Sequence, residues 1–289
     1  MQFHNICLAY NLHKPANLEL ATELEGVLHQ FGSTVIKLPI EITSQFELTE
    51  SIIEKIDLII VLGGDGTLLG VARSFAQYNI KILGINTGNL GFLSTLSRSP
   101  SLKDDLYEIL NGHYIVETRT MLSAEIVRKK ALPVDNKVIA LNEIAVIRSS
   151  RSSVLNLDLF ANKEHIAHYL ADGLIICTPT GSTAYSLGAG GAVLAPNIAG
   201  IQITAICAHS LTSRPLVISD SVVLRLQITP RNHKQALVTL QADGQEIFLL
   251  EPDDEILISR SIYHTDLLRS SDPQNSFYRV LNKKLRWDI

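Results

Sequence analysis

The stretch "IIVLGGDGTLLG", residues 59–70, ends an apolar run with two glycines, an aspartate and a third glycine. Glycines where a strand leads into a helix leave main-chain N–H groups free and let a phosphate come close. A carboxylate among phosphate oxygens would repel them. Asp65 makes chemical sense as the base that takes the proton of a hydroxyl attacking phosphorus, or beside a divalent cation. Asp-Gly is also a common turn pair, because aspartate bonds its own backbone and glycine takes positive φ. The stretch alone supports turn and site equally. It is not a Walker A loop, since no lysine follows, and it is not G-x-G-x-x-G.

A second glycine-rich stretch, "DGLIICTPTGSTAYSLGAGG" at 172–191, opens on another Asp-Gly and a short apolar strand. It ends in small hydroxyl residues and glycines, a composition suited to sugar hydroxyls and phosphates. Tyr185 adds a flat face on which a base could stack. The alternative is a solvated loop with a helix start at Ser182. Ala, Leu and Gly alternate with the hydroxyls, which favours a packed loop. A third pair, Asp243-Gly244, reads as a hairpin turn with no ligand. His165 and His168 lack H-E-x-x-H spacing and a cysteine pair, so they make no zinc motif. Ser182 is not a nucleophile elbow, because Ala184 stands where that motif needs glycine. Arg73 reads equally as a phosphate contact and as a solvated helix residue.

These groups need elements to hold them. "NICLAY" (5–10), "TVIKLPI" (34–40), "IDLIIVLGG" (56–64) and "KILGIN" (81–86) read as buried strands. Helices are expected at 15–32, with Leu18, Ala21, Leu24, Val27 and Leu28 on one face, at 67–78 and at 100–114. This order predicts an α/β N-terminal domain with an open parallel sheet over 1–115. Short β-branched runs then follow one another: 117–127, 137–148, 154–161, 173–180, 201–208, 222–228, 235–241 and 246–250. They predict a mostly β, sandwich-like domain over 116–265. The segment 266–289 carries a helix, "SFYRVLNKKLRW", expected to return to the first domain.

The 289 residues suffice for two domains. With 25 Lys and Arg against 29 Asp and Glu and no basic block, a nucleic-acid partner gets no electrostatic support. Three widely spaced cysteines, Cys7, Cys177 and Cys207, form no disulfide framework and fit a reducing compartment. No signal peptide is evident in "MQFHNICLAY", and no apolar run reaches a membrane span. A cytoplasmic protein without a membrane partner is expected.

Taken together, the motifs resemble the NAD kinase family, the ATP-NAD kinases. "LGGDGTLLGVAR" is similar to the family's GGDG signature, "LNEIAV" (141–146) to its Asn-Glu motif, and 172–191 to its long glycine-rich motif. "HSLTSRPLVI" (209–218) and "ADGQE" (242–246) also match segments typical of the family. GGDG alone is shared with diacylglycerol-type lipid kinases and phosphofructokinases; the 172–191 stretch with Asn142-Glu143 is far more specific. The resemblance implies phosphoryl transfer from ATP, or polyphosphate, to the 2′-hydroxyl of the adenosine ribose of NAD, with a Mg²⁺-type divalent cation.

By the same resemblance, Asp65 is the catalytic base, Gly66 lies beside it against the dinucleotide, and Phe92 is near the bound NAD. Asn142 and Glu143 bind ribose hydroxyls; an amide and a carboxylate together both donate to and accept from a vicinal diol. Asp172 faces the nicotinamide end. Thr183, Ala184, Tyr185, Ser186, Leu187 and Gly188 enclose adenine and its ribose, and Gln245 reaches the dinucleotide from a hairpin. Relatives imply a homodimer or homotetramer. Cys177 stands where serine is more usual and reads as a small buried hydrophobe. A lipid or sugar kinase would have no use for the 172–191 loop, and a non-catalytic dinucleotide sensor would bind without turnover.

Overall fold

A computed structural model describes residues 2–40, 48–88, 91–128, 136–149, 154–229, 237–251, 253–271 and 276–286. The chain divides into two compact units, one formed by 1–119 with 263–289 and the other by 120–262.

The first unit begins with β1 (Asn5–Asn11), α1 (Pro15–Gln30), β2 (Thr34–Ile40), α2 (Glu50–Ile53), β3 (Leu58–Gly63), α3 (Asp65–Phe75) and β4 (Lys81–Asn86). β5 (Leu96–Ser97) and α4 (Leu102–Leu110) follow. β1 pairs with both β2 and β3, and β3 with β4, all in parallel. This is the open parallel sheet expected from the β-α-β order. Every residue of β3 is buried, which explains its unbroken apolar run. Its core joins Ile6, Leu8, Leu58, Ile60, Leu62 and Leu83 to Leu20, Leu24 and Leu28 of α1. Leu18 is exposed, and Asn17 and Leu20 take the buried face in its place. α4 is shorter than 100–114, because Gly112 turns the chain at φ +104° and the next strand starts at Tyr114. In the order β2-β1-β3-β4 the direction of winding reverses between β1 and β3. The carboxyl end of β3 lies at that reversal, where open α/β sheets bind ligands.

β6 (Tyr114–Val127) leads into the second unit, which holds β7 (Lys137–Ala140), β8 (Glu143–Arg148), β9 (Leu155–Ala161), β10 (Glu164–Ala171) and β11 (Gly173–Cys177). α5 (Tyr185–Gly188), β12 (Gly200–Ile206), β13 (Leu216–Ser219), β14 (Leu224–Ile228), β15 (Val238–Ala242) and β16 (Gln245–Leu250) come next. β17 (Glu255–Ser270) returns to the first unit, where α6 (Phe277–Leu285) closes the fold. Within the second unit, one antiparallel sheet runs β13-β12-β11-β8-β15-β16. A second antiparallel set runs β10-β9-β14-β17. Ile144, Val146, Leu174 and Ile176 of the first set and Leu157, Leu159, Leu224 and Leu226 of the other share one core. The sandwich expected from the run of short strands is therefore present.

Two expectations need correction. The run 137–148 is not one strand: it breaks at Leu141-Asn142, for a reason given below. β17, the longest strand among the described residues, was not anticipated. The first two residues of the 235–241 run, and Trp287 at the end of the terminal helix segment, lie outside the described residues.

Candidate active site

Asp65 is not inside the glycine turn. It is the first residue of α3, with Gly64 capping the helix in an extended conformation. A carboxylate there faces the positive end of the helix dipole. Its side chain reaches the segment after β4: the N–H of Phe92 donates to Oδ2 at 2.8 Å, and that of Leu93 to Oδ1 at 3.2 Å. Each oxygen thus holds one main-chain donor and keeps acceptor capacity. Gly91 makes this approach feasible, because a Cβ there would lie 2.7 Å from Cγ of Asp65. Gly66 beside it is exposed, and Phe92 is half-buried with the Lys284 ammonium 4.9 Å from its ring.

In the second unit, Asn142 and Glu143 stand where β7 gives way to β8, both buried. The break is imposed by Asp243. Its Oδ1 accepts the N–H groups of Asn142 (2.7 Å) and Glu143 (3.2 Å), and its Oδ2 that of Leu141 (3.1 Å). The Asp243 N–H donates to the Glu143 carbonyl at 3.0 Å. Asp243 and Gly244 both have positive φ, as a tight hairpin turn requires. The turn reading was right but incomplete: the same aspartate shapes the Asn-Glu motif. No sequence signal joins residues a hundred positions apart.

The 172–191 loop clasps the other side of this motif. Thr178 donates its N–H to the Asn142 carbonyl at 2.9 Å and its hydroxyl to the Leu141 carbonyl at 2.6 Å. Gly181 packs so closely that a Cβ would lie 2.7 Å from Asn142 Cα. The loop is packed from Gly173 to Ser182 and at Ser186, while Tyr185, Gly188 and Gly190 are exposed. Ser186 is fully buried and bonded to Thr204 (2.9 Å) and Gln202 (2.7 Å), so its hydroxyl holds the loop together. Thr183 donates to the Thr180 carbonyl at 3.2 Å. Ala184 precedes the single turn of α5 that carries Tyr185, Ser186, Leu187 and Gly188. Tyr185 is 41% exposed, as a stacking face would be.

Glu143 is the electrostatic centre of this region. Burial, then the charge of Asp243, pushes its carboxyl up to about 7, although the Tyr185 N–H pulls the other way. Its Oε2 is buried without a hydrogen-bond partner. A buried acceptor without a donor is what a bound hydroxyl would satisfy. Burial raises the Tyr185 hydroxyl, with smaller contributions from Cys207, Glu143 and Asp172. Asp172 pairs with Arg148 at 2.9 Å. Gln245 begins β16 at the tip of the Asp243-Gly244 hairpin. Cys177 is fully buried and its thiol is pushed up to about 11 by desolvation, which fits a packed hydrophobe.

The first unit thus holds an aspartate gripped at a strand-to-helix junction, and the second a polar loop beside a buried carboxylate. The family model of the ATP-NAD kinase N-terminal domain matches residues 18–114, and that of the ATP-NAD kinase C-terminal domain matches residues 141–270. The chain belongs to the ATP-NAD kinase family. The NAD kinase of Carboxydothermus hydrogenoformans is 41% identical over 239 residues, covering 81% of this chain and 80% of its own. That of Caldanaerobacter subterraneus subsp. tengcongensis is 36% identical over 280 residues, covering 95% and 96%. Among solved structures, yeast NADH kinase complexed with NADH superposes with a TM-score of 0.88 at 26% identity, over 99% of this chain and 88% of that one. An NAD kinase from Archaeoglobus fulgidus in complex with ATP has the same fold, with a TM-score of 0.76 at 24% identity over 98% of each chain.

Proposed function

We propose that this chain transfers the γ-phosphoryl group of ATP to the 2′-hydroxyl of the adenosine ribose of NAD, giving NADP and ADP. Asp65 takes the hydroxyl proton as the new O–P bond forms and the bond to the β–γ bridging oxygen breaks. The observation that carries this reading is the seat of Asp65. Two N–H donors fix the carboxylate at the carboxyl end of β3, and both oxygens can still accept. Gly66 and Phe92 flank the dinucleotide in this reading. Asn142 and Glu143 take ribose hydroxyls, and the unpartnered Oε2 of Glu143 supports that role. Asp172 serves the nicotinamide end, residues 183–188 the adenosine, and Gln245 the dinucleotide. The second unit is in this view the NAD-binding one.

Among the described residues no three His, Cys, Asp or Glu side chains converge as a metal cage needs. We propose that a divalent cation accompanies the phosphates of ATP, as Mg²⁺ commonly does. We further propose a homodimer or homotetramer, since edge strands β13 and β16 expose Leu216, Val217, Ile247 and Leu249. A cytoplasmic location fits the three free thiols; recovery of the protein in a membrane or secreted fraction would remove it. Among the described residues no helix is long and apolar enough to cross a membrane.

The test is Asp65→Asn, which keeps the shape and removes the base. Turnover should fall by roughly 10²–10⁴ while the NAD dissociation constant stays within a few-fold. Near-normal turnover would sink the assignment.

A further inference from the structure

The segment 92–94 that grips Asp65 is itself gripped from behind. Arg269, near the end of β17, is buried and donates Nη2–H to the Phe92 carbonyl at 2.8 Å. Its Nη1 donates to the carbonyls of Leu93 (3.1 Å) and Ser94 (3.0 Å), and its Nε to Glu117 at 3.0 Å. The guanidinium therefore holds three consecutive carbonyls while the N–H groups of two of the same residues hold the carboxylate of Asp65. The next residue back along β17, Leu268, accepts a short hydrogen bond from the Thr95 hydroxyl, so the seam continues. Gly84 lets the segment lie against β4, since a Cβ there would meet Ser94 Cα at 2.9 Å.

The orientation of Arg269 is also fixed. Burial raises the Glu117 carboxyl, but Arg269 and Arg119 outweigh it and hold it below the usual range, so Glu117 stays ionised beside the guanidinium. Only arginine suits this place. Its donors form a rigid planar fork, whereas lysine offers one compact ammonium on a flexible stem.

We propose that Arg269 is a positioning residue for the phosphoryl transfer: it sets where the Asp65 carboxylate sits by fixing the carbonyls of Phe92, Leu93 and Ser94. This rests on Asp65 being the base. The distinguishing signature is a loss confined to kcat and dependent on Asp65.

The experiment is a double-mutant cycle of Arg269→Lys and Asp65→Asn, with NAD and ATP as substrates, read as kcat and KM. Arg269→Lys keeps the charge beside Glu117 but cannot span three carbonyls. It should lower kcat about 10- to 100-fold, the scale of a misplacement near 1 Å, and leave the KM for NAD within about 3-fold. In the Asp65→Asn background the same change should lower the residual rate by less than about 3-fold. An equal loss in both backgrounds, or a loss carried by KM, overturns the positioning role and leaves Asp65 as base. An Asp65→Asn enzyme with full turnover overturns the base reading and this one with it. If Arg269→Lys does not fold, Glu117→Gln loosens the guanidinium from its other side. A kcat loss present with Asp65 and absent without it then supports the role, and an unchanged or background-independent kcat overturns it.

Discussion

Glu143 should be a residue that weakens the fold at neutral pH, and removing its charge should expose this. Its carboxyl is raised from an ordinary 4.5 to about 7, first by burial and then by the charge of Asp243. The folded state therefore binds more protons than the unfolded state between those values. Stability is fully present below the lower value and is lost as pH rises through the higher one. Between about pH 5 and about pH 8 the loss is on the order of 2–3 kcal/mol. Glu143→Gln abolishes this component. Its amide NH₂ would sit where Oε2 has no partner, a penalty that is the same at every pH and cancels in the comparison. Urea unfolding of the two proteins at both pH values provides the assay. On going from acid to alkaline pH, wild type should lose about 2–3 kcal/mol more than Glu143→Gln. If the two stabilities change in parallel, the raised carboxyl is wrong. The same variant should bind NAD roughly 10- to 100-fold more weakly, the scale of a hydrogen bond to a charged group. Unchanged affinity would take Glu143 out of the site.

Asp243→Asn should lower the pH at which Glu143 titrates, because it removes the second of the two influences that raise it; a pH profile of NAD binding reads the shift, and an unmoved profile would show that the charge is not felt. The same variant turns an amide donor or a single oxygen toward three N–H groups and should destabilise the second unit by about 1–3 kcal/mol. Light scattering should give a mass of two or four chains of 31.8 kDa, and a single-chain mass would end the oligomer proposal.

What could be read from the sequence was whatever depends on neighbours along the chain. β4 falls at Lys81–Asn86, as "KILGIN" predicted, because it is an apolar run bounded by polar turns. β3 and the 172–191 loop were recognisable for the same local reason. What could not be read depends on distant partners. β17 has Arg260, Ser261, His264, Thr265 and Asp266 interrupting its apolar positions, so its alternation is obscured. It is a strand because β14 pairs with its start and Ile82 of β4 with Leu267 near its end. The break at Leu141-Asn142 likewise belongs to Asp243 and Thr178, not to the run 137–148 in which it falls.

The three Asp-Gly pairs make the point most sharply. As dipeptides they are identical, and each is a competent turn former. The structure separates them by what the carboxylate touches. Asp243 spends its oxygens on three main-chain N–H groups and shapes a motif. Asp172 is neutralised by Arg148. Of the three, Asp65 starts a helix and takes one main-chain donor on each oxygen. A base must be held still without being used up: two donors orient the group, and the remaining lone pairs can take a proton. That difference in donors, invisible in the sequence, is why Asp65 rather than either sibling is the residue proposed as the base.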